Sequence, residues 1–445
     1  MNRVAVIKIG LIGFGNVGQG VAKILKENAD ALTQRVGAQF QITKIAVRSI
    51  EKYRGLDLGE AVLTENVTDL LSDPSIDIIV EVMGGETPAF DYISDALKRG
   101  KYVVTANKEV VAKHKNRFFE LARENQVDIY FEASVGGGIP IIRSFKVGYA
   151  ANQIQSVCGI LNGTTNYILT KMREEGLPFE QALKQAQDLG FAEADPSMDV
   201  SGLDAAYKLV ILAAVAFKQD IQIEDLYYEG IDALKKEDVE YAKELGYTIK
   251  LLALGSRHTN QDHMIYKVHP TLIPITHPLA SVRNEFNAIF SVGNAIGETM
   301  IYGKGAGSLP TGSAVVSDLC DIAFDFHHNE IAGRRNLEAP LSKAQVLKVE
   351  DTVSAFYCRL LVEDHCGVLE QITHILGEYQ ISIAKVIQQE AKDEISELLL
   401  VTHQVSEFKF NQAIAKIESL DALRSIESKI RVGLGPKQVS ILGES

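Results

Sequence analysis

The run V-A-V-I-K-I-G-L-I-G-F-G-N-V-G, residues 4–18, constrains this chain more than any other stretch. An apolar strand that ends in G-x-G-x-x-G has a narrow physical use. Gly13 permits the tight turn, Gly15 lets backbone approach a pyrophosphate, and Gly18 lets the following helix pack on the strand. The helix N-terminus then offers unpaired N–H groups and the positive end of its dipole to an anion. Phe14, Asn16 and Val17 fill the intervening positions and join the glycines as expected cofactor contacts. The apolar run also looks like the start of a signal peptide. It lacks an A-x-A site and leads straight into the glycines, so a core strand is expected.

The chain beyond the glycines supports a nucleotide fold. To about residue 135, strands (FQITKIAV, IDIIVEV, YVVTA, VDIYFEA) alternate with helical stretches such as PAFDYISDALKRG. That rhythm predicts an α/β, Rossmann-type doubly wound parallel sheet. From about 150 to 300 the pattern is mixed, with helices first and then the strands TIKLLALGS, HMIYKVHP and NAIFSVG, which predicts an α+β domain. Residues 331–351 read as a polar linker. Residues 352–432 read βαββαβ, a ferredoxin-like unit. A chain of 445 residues exceeds one ordinary core, which fits two or three domains.

Composition excludes some partners. A formal charge of −13 argues against nucleic acid and anionic membranes. No stretch of 18 apolar residues exists, so no membrane span is expected. Cys158, Cys320, Cys358 and Cys366 form no metal-like spacing and need no disulfide, which suits a reducing cytoplasm.

Four features carry chemistry. The second strand should end in an acid if the cofactor is NAD, but here it ends in Val47-Arg48, and Arg48 suits the 2′-phosphate of NADP. YVVTA runs into T-A-N-K, which sets Lys108 at the carboxyl edge of the sheet, where ligands bind, and adds it to the expected cofactor contacts. FEASVGGGIP combines the Glu132 carboxylate with carbonyls exposed by three glycines, an oxygen set for a hard cation or a hinge between domains. Finally, the apolar helix GLDAAYKLVILA holds Asp204 and Lys208 four residues apart, on one face. Burying such a pair costs several kcal/mol per ion, so it is either a simple surface pair or kept for chemistry.

Taken together, GFGNVG, TANK, EASVGGGIP, LNGTTNYI (161–168), FAEADPSMDVSGLDAAYK (191–208) and GKGAG (303–307) resemble the homoserine dehydrogenase family. The resemblance implies reversible, NADP- or NAD-linked interconversion of L-homoserine and L-aspartate 4-semialdehyde, a step towards threonine, methionine and isoleucine. It makes Lys208 the proton donor and acceptor, with Asp204 and Glu193 holding the substrate amine. Thr164, Thr165 and Asn166 form the substrate-side loop. Gly303 joins the cofactor contacts. Glu132, Val135, Gly137 and Ile139 match a sodium site. A lysine is a poor base at its free pKa, near 10.4, so partial burial is expected to activate Lys208. Asp204 would oppose that if it paired tightly, so it is expected to serve the substrate instead. The family also implies that 304–330 returns to the nucleotide domain of 1–140, with 141–303 as the substrate and dimerisation domain.

The C-terminal unit resembles an ACT domain, the small-molecule sensor of amino-acid biosynthesis. Its loop E-D-H-C-G-V-L-E puts Asp364 and Gly367 before a helix, where an effector such as L-threonine would bind between copies of a homodimer or homotetramer. Removing residues from about 345 onward is expected to leave a dehydrogenase blind to threonine. No aspartate-kinase region precedes residue 1, so a monofunctional form is expected. Two rivals remain. One is a semialdehyde dehydrogenase using Cys158 as a thioester nucleophile. The other is a non-catalytic amino-acid sensor, which the presence of Lys208 and Glu193 disfavours.

Overall fold

The computed structural model describes residues 5–53, 55–258, 263–328, 341–389 and 394–433. Its first sheet has six parallel strands: β1 (Ala5–Ile12), β2 (Ala38–Ala46), β3 (Val62–Thr64), β4 (Ile78–Glu81), β5 (Tyr102–Thr105) and β6 (Ile129–Tyr130). They pair in the order β3-β2-β1-β4-β5-β6. The order reverses between β1 and β4, so a crevice opens beyond the carboxyl end of β1, where the fingerprint glycines stand. Ile9, Leu11, Ile79, Val80 and Val103 are fully buried, as strands covered on both faces require. The sequence pattern misses β3, whose three residues are too few to show a period.

A second, twelve-stranded sheet carries the rest. The strands Gly297–Lys304, Phe286–Gly293, Ile154–Ile160, Tyr247–Arg257 and His263–Pro274 lie side by side in that order, antiparallel throughout. The oily helix Leu203–Phe217 packs in the core beside this sheet, with Leu209, Val210 and Leu212 buried. After the sheet, the helix Ser308–His328 goes back to the first one. There the Ser308 hydroxyl donates to the Asn16 carbonyl at 2.6 Å, and Val315 and Leu319 enter the core of the parallel sheet.

The second sheet does not end with the His263–Pro274 strand. Thr271 and Leu272 pair with Arg431 and Val432, which adds the four strands of the C-terminal βαββαβ unit to the same sheet. Those strands run Leu423–Val432, Val353–Glu363, Ile395–Thr402, Ile383–Gln388, an antiparallel order. Their side chains alternate between two cores. Phe356, Cys358 and Leu360 meet the helices Val368–Glu378 and Glu407–Ile417. Ala355 and Tyr357, with Leu399 and Ile430, belong instead to the large core around the oily helix.

The segment read as linker is partly built into this frame. Ser342–Lys343 pairs with Gln219–Asp220, and Gln345–Val346 with His263–Met264. Such two-residue pairings rest on backbone groups alone and leave no hydropathy signal. The linker residues 331–340 lie outside the described residues. Among the described residues, no helix is long and apolar enough to cross a membrane.

Candidate active site

The nucleotide side is built by the turn after β1. Gly13 has φ 96°, and a Cβ there would sit 3.0 Å from the Val82 backbone. A Cβ at Gly18 would fall 2.4 Å from the Gly13 carbonyl, so helix and turn touch. At Gly15, by contrast, nothing lies within 4 Å of the Cβ position, and the helix Asn16–Glu27 begins with no side-chain cap. That open cradle and uncapped N-terminus fit a bound pyrophosphate. Asn16 is exposed and Val17 half-buried at the same turn. Phe14 turns its ring inward against Tyr53, which leaves only its backbone to the cleft. Arg48 stands exposed just past β2. Gly303 comes from the second sheet. It lies on an edge strand, and the contact at its Cβ position is Ile139.

The second cluster centres on one carboxylate. Asp204, 3% exposed at its side chain, receives Lys108 Nζ on Oδ1 and Lys208 Nζ on Oδ2, both at 2.6 Å. Asn162 Nδ2 adds a third donor at 2.9 Å. Burial pushes the Asp204 carboxyl up, but the two ammonium groups outweigh it and hold it well below the usual carboxylate range. The same charge raises Lys108 against its own burial. Lys208 Nζ also donates to the Leu161 carbonyl at 2.7 Å.

This geometry corrects one expectation and extends another. Asp204 does not leave Lys208 free and serve the substrate alone; it grips both lysines, because a carboxylate this deep needs cations to offset desolvation. Lys108, expected among the cofactor contacts, is held by this same carboxylate. Its helix, Lys108–Glu124, starts at an Asn107 cap whose Oδ1 accepts from Val110 N (3.2 Å) and whose Nδ2 donates to Gly85 O (2.6 Å). That corner aims the ammonium across the cleft to Asp204.

Asn162 is a member of this cluster that sequence reasoning misses. It caps the helix Gly163–Glu175 through Thr165 N (2.8 Å) and bridges Asp204 to Asp199 Oδ1 (2.7 Å). Burial and the neighbouring Asp204 raise the Asp199 carboxyl. Thr164, nearly buried, donates its hydroxyl to Phe191 O (2.7 Å), which ties the 163–175 helix to the segment that carries Glu193. Glu193 is exposed, and its charge reaches Lys108. Cys158 lies buried in a strand among Leu252, Ala288 and Phe290, and burial pushes its thiol up, so no thiolate is available there.

The 132–139 loop differs from its sequence reading in one respect. Both Glu132 oxygens are occupied by backbone N–H groups, Ile142 at 2.8 Å and Arg143 at 2.7 Å. The side chain therefore anchors the turn at 141–143 rather than presenting a free carboxylate. Carbonyls remain: among the described residues, those of Val135 and Gly137 accept no backbone hydrogen bond. No cluster of three or more His, Cys, Asp or Glu placed to hold a metal occurs among the described residues.

Residues 13–132 match the family description "Homoserine dehydrogenase, NAD binding domain", residues 140–320 "Homoserine dehydrogenase", and residues 356–422 "ACT domain". The homoserine dehydrogenase of Bacillus subtilis (strain 168) is 42% identical over 96% of this chain and 98% of its own length. The chain belongs to the homoserine dehydrogenase family. A crystal structure of a homoserine dehydrogenase from Thiobacillus denitrificans superposes with a TM-score of 0.90 at 43% identity, covering 96% of this chain and 98% of that one. A hyperthermophilic archaeal homoserine dehydrogenase in complex with NADPH superposes at 0.60 with 28% identity, over 71% of this chain and 96% of its own. The chain is thus an NAD(P)-dependent oxidoreductase acting on the homoserine hydroxyl, with a C-terminal ACT domain. The cysteine-enzyme and sensor readings fall away.

Proposed function

We propose that Lys208, as an ammonium, gives its proton to the aldehyde oxygen of L-aspartate 4-semialdehyde as hydride arrives. As the neutral amine it takes the hydroxyl proton of L-homoserine in the reverse direction, while Lys108 steadies that oxygen from the opposite side. The bound nicotinamide supplies the hydride acceptor when homoserine is oxidised. The observation that carries this reading is the single Asp204 carboxylate shared by two ammonium groups at 2.6 Å each. Asp204 holds both nitrogens in the cleft, and their second positive charge is left for the oxygen that becomes an alkoxide. Glu193 and Asp199 face the substrate ammonium. Lys208→Ala should lower kcat by about 10² to 10⁴, the usual size of a positioned acid–base group, with cofactor binding unchanged. Near wild-type turnover in that variant overturns the assignment.

Several finer readings accompany it. NADP is accepted at least as well as NAD, because β2 ends without an acid and Arg48 is exposed there; the NADPH complex of the archaeal relative points the same way. A sodium ion held by main-chain carbonyls of Glu132, Val135, Gly137 and Ile139 suits the oxygen-only donors, with the Glu132 side chain excluded. L-Threonine is the effector of the ACT domain, at the turn where Asp364 precedes Gly367. Gly367 has φ 94° and starts the helix Val368–Glu378 without a side-chain cap. The exposed edge strands Gly297–Lys304 and Ile383–Gln388 support a homodimer or homotetramer. Four unpaired cysteines fit the cytoplasm.

A further inference from the structure

The charge network that joins the C-terminal unit to the rest of the chain ends one residue from the catalytic turn. Glu407, on the helix Glu407–Ile417, is almost completely buried and accepts from Lys267 Nζ (3.0 Å) and from Arg431 Nε (2.9 Å) and Nη2 (2.7 Å). The remaining arm of Arg431, Nη1, donates to Glu229 Oε2 at 2.9 Å, and the Tyr227 hydroxyl donates to the same oxygen at 2.8 Å. The Glu229 amide donates to Val268 O at 2.8 Å, which fastens it to the second sheet. The next peptide lies flat on the turn that opens the oily helix. Ile231 N donates to Val200 O (2.8 Å), and a Cβ at Gly230 would fall 2.2 Å from that same carbonyl. From the other side, Gly202 has φ 84° and its Cβ position lies 3.0 Å from the Glu229 carbonyl. Asp199 stands just before this turn and Asp204 just after it.

We propose that Arg431 is a positioning residue for the reaction. It fixes Glu229, and the close-packed peptide 229–231 in turn fixes the 199–204 segment that carries both carboxylates. The C-terminal unit is thereby part of the frame of the active site. The inference rests on the reading of Asp199, Asp204 and Lys208 as the substrate side. The nucleotide cleft belongs to the other sheet and lies outside the network.

Arg431→Met in the full chain should raise the KM for homoserine about tenfold, a coupling of ordinary size, and change kcat less. The affinity for NADPH, read by fluorescence titration, should stay the same. Arg431→Lys should recover part of the loss, since it keeps a donor towards Glu229 or Glu407. Glu229→Gln should reproduce the Arg431→Met effect from the catalytic side. The double variant should be no worse than either single one, because both changes cut one link. A homoserine KM unchanged in both single variants overturns the proposal. So do effects that multiply in the double variant, and so does a parallel loss of NADPH affinity, which marks general loosening. If instead Lys208→Ala keeps its turnover, it is the reading of the turn as catalytic that fails.

Discussion

Burying a carboxylate as deeply as Asp204 is unfavourable by several kcal/mol unless cations meet it. In this site two lysines and Asn162 do so, which turns a desolvation cost into a rigid arrangement of two ammonium groups. Because the folded-state pKa of Asp204 is depressed, its contribution to stability is present above the unfolded value, about 3.9, and disappears as pH falls through the lower folded value. Asp204→Asn should therefore lower stability at pH 7 by about 3 kcal/mol, as removal of one partner from a buried pair does. The gap to wild type should close in acid, below about pH 4. Urea midpoints across pH test this; a constant gap from pH 7 to pH 2 sinks it. At the residue scale the sequence is informative where charge contradicts surroundings: Asp204 and Lys208 stand out in an apolar helix. It is silent on Asn162, because an asparagine before G-T-T-N reads as a helix cap, which it also is. Nothing in the spacing could show that Lys108, nearly a hundred residues away, closes on the same carboxylate.

Among the elements, the strand Tyr247–Arg257 does more than line the core. Lys250 on it is buried, and its ammonium donates to Asn166 Oδ1 (2.8 Å) and Val282 O (2.5 Å). Asn166 Nδ2 donates in turn to Asn284 O and Phe286 O at 2.9 and 3.0 Å. This knot ties the strand, the substrate-side helix Gly163–Glu175 and the segment before the next strand. Burial, helped by the charge of Arg173, pulls the Lys250 pKa down to about 7. The unfolded chain keeps that proton to about pH 10.4, so between those values it binds more protons than the native state, and stability from this group rises with pH. Lys250→Met should abolish that rise. The wild type should gain on the variant by a few kcal/mol, on the order of what the shift implies, between pH 7 and 10. Denaturant midpoints that run parallel over this range speak against it. The longer strands, including this one, are legible from their apolar runs. The missed ones share a reason: β3 is three residues long, and Gly297–Lys304 is an exposed edge strand whose glycines read as a turn.

At the scale of the whole molecule, the C-terminal unit is joined to the rest in three independent ways. Its last strand extends the second sheet through Thr271–Arg431 and Leu272–Val432. Its inner face, with Tyr357, Val401 and Ile430, completes the core around the oily helix. Ion pairs cross the junction, Arg431 to the partly exposed Glu229 at 2.9 Å and the buried Arg359 to Asp238 at 2.8 Å. A βαββαβ pattern in sequence reads as a separable module, because periodicity shows which faces are apolar but not what covers them. Cutting at about residue 345 would bare an apolar sheet face and leave Asp238, fully buried, without its guanidinium. The truncated chain should therefore melt lower by on the order of 10 °C, or aggregate, rather than persist as an intact enzyme that merely ignores threonine. Thermal melts and size-exclusion chromatography decide it: a soluble truncated enzyme with the wild-type melting temperature would show the junction to be dispensable.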